Sequence, residues 1–335
     1  MKAIVFSQPG LPIQDPQSLY ETTLPQPTPG PRDLLVEVKA IAVNPVDTKV
    51  RARSSGHGPQ VLGWDTVGIV REVGADVSLF RPGDEVFYAG AIDRPGSYSE
   101  YHLVDERIVG HKPRTLDNAS AAALPLTSIT AWELLFDRLG VKEKGGKGQS
   151  LLVIGAAGGV GSILVQLARR LTQLTVIGTA SRPETQQWVQ VAGAHHVIDH
   201  SAPIPHQLET QQLSPVDYVI SLTHTDSYLE QIVEALRPQG KLALIDDPEQ
   251  LDIMPLKRKS LSVHWELMFT RSLYHTDDMI KQHQLLERVA LLVDEGVLKT
   301  TLGEHFGRIS AENLKRAHAL IESGKAKGKI VLEGF

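Results

Sequence analysis

Residues 150 to 182, SLLVIGAAGGVGSILVQLARRLTQLTVIGTASR, constrain the fold more than any other stretch of the chain. Leu151 to Ile154 form a short, wholly apolar run, the pattern of a parallel strand buried on both faces. Gly155 to Gly161 turn the chain. From Ser162, apolar residues recur at helical spacing through Leu167 and Ala168, and Thr175 to Ile177 begin a second strand, which makes a βαβ unit. Ala156, Gly158 and Gly161 fill the three positions of the G-x-G-x-x-G dinucleotide fingerprint, with Ala in place of the first Gly. Gly158 lets backbone approach a pyrophosphate, Gly161 lets helix pack on strand, and the helix start supplies N–H donors and a positive dipole end. Gly159 and Val160 complete the turn. A bare glycine pattern is weak evidence, but here strand, helix and strand surround it in the required order. No Gly-Lys-Ser/Thr follows, so a P-loop is excluded.

The end of the second strand bears on the ligand. Binding of an unphosphorylated dinucleotide usually places an acid there, on the ribose 2′-hydroxyl. This chain has Ala180, Ser181 and Arg182, and a hydroxyl with a guanidinium suits a 2′-phosphate that a carboxylate would repel. The competing reading leaves Arg182 in solvent while Glu184 reaches back to the ribose. The expected cofactor is NADPH.

At 335 residues the chain is long enough for two domains. Its formal net charge of −5 argues against nucleic acid as a main partner. It contains no cysteine, which excludes disulfides, thiolate zinc sites and thiol nucleophiles. The opening MKAIVFSQPG is too short an apolar run for a signal peptide, and no stretch reads as a membrane span, so a soluble cytoplasmic protein is expected.

Along the chain, Lys2 to Phe6 reads as a strand before a proline-rich stretch. Leu34, Val36 and Val38 alternate with Leu35, Glu37 and Lys39, which predicts an edge or half-exposed strand. Further strands are expected at Val67 to Val73, Glu85 to Tyr88 and Tyr98 to Val104, separated by turn signals at Gly74, Pro82-Gly83 and Pro95-Gly96. Helical patterns at Ala119 to Ala123 and Thr130 to Phe136 flank an interruption at Pro125. Beyond the fingerprint, strands are expected at Val197-Ile198, Tyr218 to Leu222, Leu242 to Ile245 and Leu261 to Trp265, with a helix at Tyr228 to Leu236. The run Lys257-Arg258-Lys259 reads as a solvated loop. Lys281 to Asp294 and Ser310 to Glu322 have helical periodicity, the second capped by Ser310. A last strand runs from Ile330 to Leu332.

This order, together with Asn44-Pro45-Val46-Asp47, Gly83-Asp84-Glu85-Val86, Pro125-Leu126-Thr127, the GAAGGVG turn and Gly324 to Leu332, resembles the medium-chain dehydrogenase/reductase superfamily over essentially the whole chain. Gly193 to His200 and His264 to Phe269 are similar to its quinone oxidoreductase branch, in the group of zinc-type alcohol dehydrogenase-like proteins. The resemblance implies an α/β protein: a GroES-like β-rich domain from residues 1–126 and 269–335, and a Rossmann domain at 127–268 with a doubly wound parallel sheet of about six strands.

The zinc ligands of that superfamily are missing from the pattern. Asn44 stands where a ligand Cys would precede the Asp, Gly63-Trp64-Asp65 stands for Gly-His-Glu, and no Cys or His lies near Ala123 to Leu126. Zinc needs three protein donors in a catalytic site, so no metal is expected. His196 and His200 cannot rebuild one, because on a strand they stand roughly 13 Å apart.

Alkoxide stabilisation by zinc is thereby lost, whereas hydride delivery to a quinone or an α,β-unsaturated carbonyl can proceed with positioning and a hydrogen-bond donor. Residue by residue, Asn44 is either an amide donor to the substrate oxygen or a backbone brace before Pro45, and Asp47 a brace. Trp64 is a flat wall or packing, and Tyr88 and Tyr98 are candidate proton donors or core aromatics. For the cofactor, the resemblance implies Thr127 and the backbone of Met268 and Phe269 near the nicotinamide. The strand ends at Ser221, Leu222 and Thr223 and around Ile245 lie on the cofactor edge. The expected function is a zinc-independent NADPH-dependent reductase acting on a small quinone or enone. The alternatives are zinc-type alcohol dehydrogenase activity, or a non-enzymatic crystallin-like or RNA-binding role. A homodimer is expected through the terminal strand, Leu261 to Trp265.

Overall fold

The computed structural model describes every residue except His57 and Ser214. The chain forms two compact units, Met1–Ile129 with Phe269–Phe335, and Thr130–Met268.

The second unit is organised by a six-stranded parallel sheet. Its order is His196–Ile198, Thr175–Thr179, Ser150–Ile154, Val216–Ser221, Leu236–Leu244 and Ser262–Trp265. The first strand in sequence thus lies inside the sheet, with the chain winding out to both sides. This creates the switch point at which α/β sheets bind ligands beyond the carboxyl ends. Leu151 to Ile154 are at most 1% exposed, as strands covered on both faces require. The core includes Leu152, Ile177, Val219 and Leu242 together with Leu229 and Ile232 of the helix Thr225–Ala235. The basic run does not stand free in solvent: Lys259 Nζ donates to the carbonyls of Val233, Glu234 and Leu236 at 2.8, 2.9 and 2.7 Å. An ammonium there satisfies the acceptors at that helix's end.

In the first unit a seven-stranded sheet runs Leu302–His305, Lys329–Glu333, Asp33–Val43, Thr66–Val73, Glu85–Tyr88 and Val109–His111, with Tyr101–Asp105 also paired to Asp33–Val43. All neighbours pair antiparallel except the first two. The expectation of an edge strand at Leu34 to Lys39 is overturned. Asp33–Val43 pairs with three strands, and Leu35 is as buried as Leu34 and Val36. Period-two alternation reports which face a residue takes and says nothing about how many neighbours the strand has. The strand expected from Tyr98 starts at Tyr101, because Tyr98 turns inward and is fully buried.

Pro125 does not interrupt a helix but starts one, Pro125–Trp132. At the first helical position its missing N–H costs nothing. The following turn, Glu133–Arg138, widens to a π-helix. Residues Asn118–Arg138 have the length and apolar character of a membrane span, but 83% of that window is buried inside the protein, as in a core helix.

Candidate functional site

In the second unit the fingerprint turn sits at the carboxyl end of Ser150–Ile154. Gly155 takes a φ of +83°, which favours glycine. A Cβ on Gly161 would lie 2.5 Å from Gly155 O and 2.6 Å from Ala156, so the third glycine is required by the contact between helix and turn. At Gly158 the nearest protein atom to such a Cβ is 3.5 Å away, so nothing in the protein bars a side chain there. The chain has left that face of the turn clear. Ala156 is fully buried, and its extra methyl is accommodated because Gly178 opposite has no side chain. The helix Gly159–Leu171 begins at Gly158 without a side-chain cap, leaving its N-terminal dipole available to an anion.

The neighbouring strand ends surround this turn. Thr179 Oγ1 accepts from Gly155 N at 3.1 Å and meets His200 Nδ1 at 3.3 Å. Ser181 is partly buried, and Arg182 precedes the helix Pro183–Ala192. Arg182 Nε lies 3.0 Å from Glu184 Oε1, with both side chains well exposed at 41% and 58%. Ser221 is buried and accepts from Thr225 Oγ1 at 2.8 Å, and Thr225 also donates to Asp246. Leu222 N donates to Ile154 O at 3.1 Å, and Thr223 Oγ1 meets His224 Nδ1 at 2.6 Å. Ile245 is half-buried and Met268 buried. Ala156 to Gly161, Ser181, Arg182, Ser221 to Thr223, Ile245 and Met268 are therefore all at or just beyond carboxyl ends of one sheet. Thr127 and Phe269 belong to the other unit, where Thr127 Oγ1 donates to Leu124 O of its own helical segment at 3.2 Å.

In the first unit, the residues singled out around the Asn-Pro turn meet in a buried polar cluster. Asn44 Nδ2 donates to Asp65 Oδ2 at 2.9 Å and to Trp64 O at 3.1 Å, while Asn44 Oδ1 accepts from Lys329 Nζ. Lys329 Nζ also donates to Asp65 Oδ2 at 2.8 Å and to Val43 O at 3.2 Å. The other Asp65 oxygen accepts from Leu126 N at 2.7 Å. Asn44 caps the helix Pro45–Arg53, and its own N–H donates to Asp47 Oδ2 at 2.6 Å, so Asp47 is the expected brace. Of the two readings of Asn44, the geometry shows the brace: its amide is committed to protein acceptors.

Tyr98 and Tyr88 are both 0% exposed. The Tyr98 hydroxyl meets His318 Nε2 at 3.2 Å, and the Tyr88 hydroxyl meets His102 Nδ1 at 2.9 Å. Neither offers its hydroxyl to the surface. Trp64 is 2% exposed, donates its indole N–H to Ala91 O at 3.1 Å, and stands edge-on to Phe269 with ring centroids 6.2 Å apart.

Burial dominates the titrations here, since a low dielectric disfavours the charged form. It pushes Asp47 up to about 7 against the pull of the Asn44 N–H and of Lys329. Asp65 is also raised by burial, opposed by the Lys329 ammonium. Burial pushes His318 down to about 3 and His102 down to about 4, so both rings are neutral at physiological pH. The Tyr98 hydroxyl is raised well above its ordinary range by burial and by the Asp47 carboxyl beside it.

Sequence reading missed Lys329, Asp65 and His318. The burial of Lys329 has no local signal, because Lys325, Lys327 and Lys329 alternate like a solvated approach to a strand. The residues also do not fit a zinc ion. The cluster presents an amide, a carboxylate and a fixed ammonium, where zinc requires imidazole, thiolate or carboxylate donors and repels a cation. No group of three or more His, Cys, Asp or Glu side chains is placed to hold a metal among the described residues.

A Rossmann sheet with a GroES-like unit is the architecture of the medium-chain dehydrogenases, and comparison with known proteins agrees. Residues 30–114 match the alcohol dehydrogenase GroES-like domain, and residues 192–332 match the zinc-binding dehydrogenase family. The zinc-type alcohol dehydrogenase-like protein of Staphylococcus aureus strain MSSA476 is 42% identical over 310 residues, 92% of each chain. A crystal structure from Rhizobium etli CFN 42, of a candidate zinc-dependent alcohol dehydrogenase, superposes with a TM-score of 0.97 at 57% identity, covering 100% of this chain and 98% of the other. The quinone oxidoreductase of Coxiella burnetii superposes with a TM-score of 0.81 at 29% identity, covering 99% of each. The chain belongs to the medium-chain dehydrogenase/reductase superfamily of NAD(P)-dependent oxidoreductases, among the zinc-type alcohol dehydrogenase-like proteins.

Proposed function

We propose that this protein is a zinc-independent, NADPH-dependent reductase of a quinone or an α,β-unsaturated carbonyl. The observation that carries the reading is the cluster in which Asn44, Trp64, Asp65 and Lys329 stand where zinc-dependent relatives would place their metal site. Alcohol oxidation relies on a Lewis acid to stabilise the alkoxide, and this donor set suits none. A conjugated acceptor is already electrophilic at carbon, so positioning can carry more of the barrier.

NADPH supplies the hydride when bound. Residues 127–268 hold it: the cleared face at Gly158 receives the pyrophosphate, and Ser181 and Arg182 read the 2′-phosphate. The exposed Arg182–Glu184 pair opposes this only weakly, since such ion pairs contribute at most about 1 kcal/mol. Trp64 and Phe269 supply an apolar wall, whereas Asn44 and Tyr98, with their polar groups turned into the protein, act by positioning. The protein works as a homodimer joined at the sheet edge Ser262–Trp265, beside which Trp265 and Leu267 are 55% and 52% exposed. Light scattering at micromolar concentration tests this, and a monomeric mass rejects it. The activity is tested by following NADPH and NADH oxidation against a panel of quinones, enones and simple ketones. Turnover of quinones or enones with NADPH is expected, and reduction confined to simple ketones with dependence on added zinc would reject the reading.

A further inference from the structure

Lys329 is the one buried residue of the Asn-Pro cluster that carries a fixed positive charge, and it is 3% exposed. It reaches the cluster because Lys329–Glu333 pairs antiparallel with the end of Asp33–Val43, Ile330 opposite Val43. Its ammonium contacts three oxygens: Val43 O at 3.2 Å, Asn44 Oδ1, and Asp65 Oδ2 at 2.8 Å. These are a backbone carbonyl, an amide oxygen and a carboxylate, the hard donor set that chelates a simple cation. A lysine ammonium has three protons and no acceptor, so three oxygens satisfy it. Asn44 is oriented by the same contacts, since its oxygen faces the ammonium and its amide faces Asp65 and Trp64 O.

We propose that Lys329 is a tethered internal cation: its ammonium fills an oxygen cage, holds the Asn44, Trp64 and Asp65 backbone in place, and excludes divalent metal from the cluster. A metal ion entering the cage would have to displace a covalently attached charge or sit beside it, and like charges a few ångströms apart in a low-dielectric interior repel strongly. Lys329 is a positioning residue in this scheme. The cage would accept a small free cation of ammonium type once the tether is cut. The proposal stands whether or not NADPH and a quinone are the true reactants.

The test compares the full-length protein with Lys329→Ala and Lys329→Met in thermal unfolding. Each is measured in sodium chloride and in methylammonium chloride at equal ionic strength. Lys329→Ala is expected to lower the Tm by roughly 10 °C, the consequence of leaving a buried carboxylate unpaired. Methylammonium is expected to recover a large part of that loss saturably, while sodium does not. Lys329→Met, which fills the space without charge, is expected to lose stability and to gain nothing from methylammonium. A lysine needed only for packing would leave no cage for the free cation, so absence of rescue in Lys329→Ala overturns the proposal.

A second measurement needs no variant to fold. The wild-type protein is incubated with excess cobalt(II) or zinc and desalted, then analysed for metal and for cobalt absorption in the visible range. No retained metal is expected. One equivalent of cobalt per chain, lost in Asp65→Asn, overturns the proposal.

Discussion

The fingerprint turn and the Lys329 cluster are both places where the chain comes close to itself, but they are assembled in opposite ways. The turn is local, since Gly155 to Gly161 meet within one βαβ unit and the clashes a Cβ would make at Gly161 are with Gly155 and Ala156. The cluster joins residues separated by as many as 285 positions, Asn44 and Lys329. A local turn depends on backbone conformation and announces itself as glycine. A distant cluster depends on sheet pairing, and its members look like ordinary surface residues. Stability should therefore respond most to the cluster and cofactor affinity most to the turn.

The largest expected effect is at the cluster. Asp65→Ala leaves Lys329 buried without its carboxylate and removes the acceptor for Leu126 N. Breaking one side of a buried pair costs about 3–5 kcal/mol. Chemical denaturation should show that loss while NADPH affinity of the folded fraction stays unchanged, and a large affinity change would break the comparison.

Gly161→Ala comes next, at about 1–3 kcal/mol, because the added methyl must push the helix off the turn. Isothermal titration should show weakened binding of NADPH and NADH alike. Unchanged affinity would mean that the turn does not carry the pyrophosphate.

Arg182→Ala should act on one cofactor alone. Losing a charge-assisted bond to the 2′-phosphate removes about 1.5–3 kcal/mol, roughly ten- to hundredfold in NADPH affinity, with NADH scarcely touched. Equal weakening of both would show that Arg182 does not read the phosphate. Stability should hardly change, since the Arg182–Glu184 pair is exposed.

The smallest effect is a pH dependence in the first unit. His111 Nδ1 lies 2.8 Å from Glu287 Oε1 on the helix Lys281–Asp294. The hydrogen bond and charge of Glu287 raise the His111 pKa above 6.5. The ring's contribution is thus fully present below 6.5 and is lost as pH rises through the raised value. Glu287 is held below 4.5, with burial opposing and His111 lowering, so its part is present above 4.5 and lost as pH falls through the lowered value. The pair should stabilise most between about 4.5 and 6.5, by less than about 1 kcal/mol because both groups are partly exposed. Glu287→Gln should flatten that portion of the stability profile, and an unchanged profile would remove His111 as its source.

Legibility in the sequence follows the same division. The helix Lys281–Asp294 and the Ser310 cap, whose side chain accepts from Asn313 N, were readable because helix periodicity and capping are local. Every strand of the parallel sheet was readable as a run of buried apolar residues. The placement of Asp33–Val43 in the middle of its sheet was not, since its neighbours include a strand beginning at Lys329. Pro125 was misread because proline at a first helical position and proline within a helix differ only in what precedes them. At the candidate site, the glycines and Arg182 carried their chemistry in plain view. Asn44 did not, because the partners that fix its amide, Asp65 and Lys329, come from other strands.

The pairing of Asp65 with Lys329 also sets an order of events during synthesis. Asp65 leaves the ribosome 264 residues before the lysine that neutralises it. Throughout that interval the early strands lack the neighbour that closes over Asp33–Val43, while Thr130–Met268 has already emerged complete. The parallel sheet can thus fold first, and the nascent amino-terminal segment must be kept open and hydrated around a bare carboxylate until the final strand arrives. That interval is when the chain is most exposed to chaperones, proteases and aggregation.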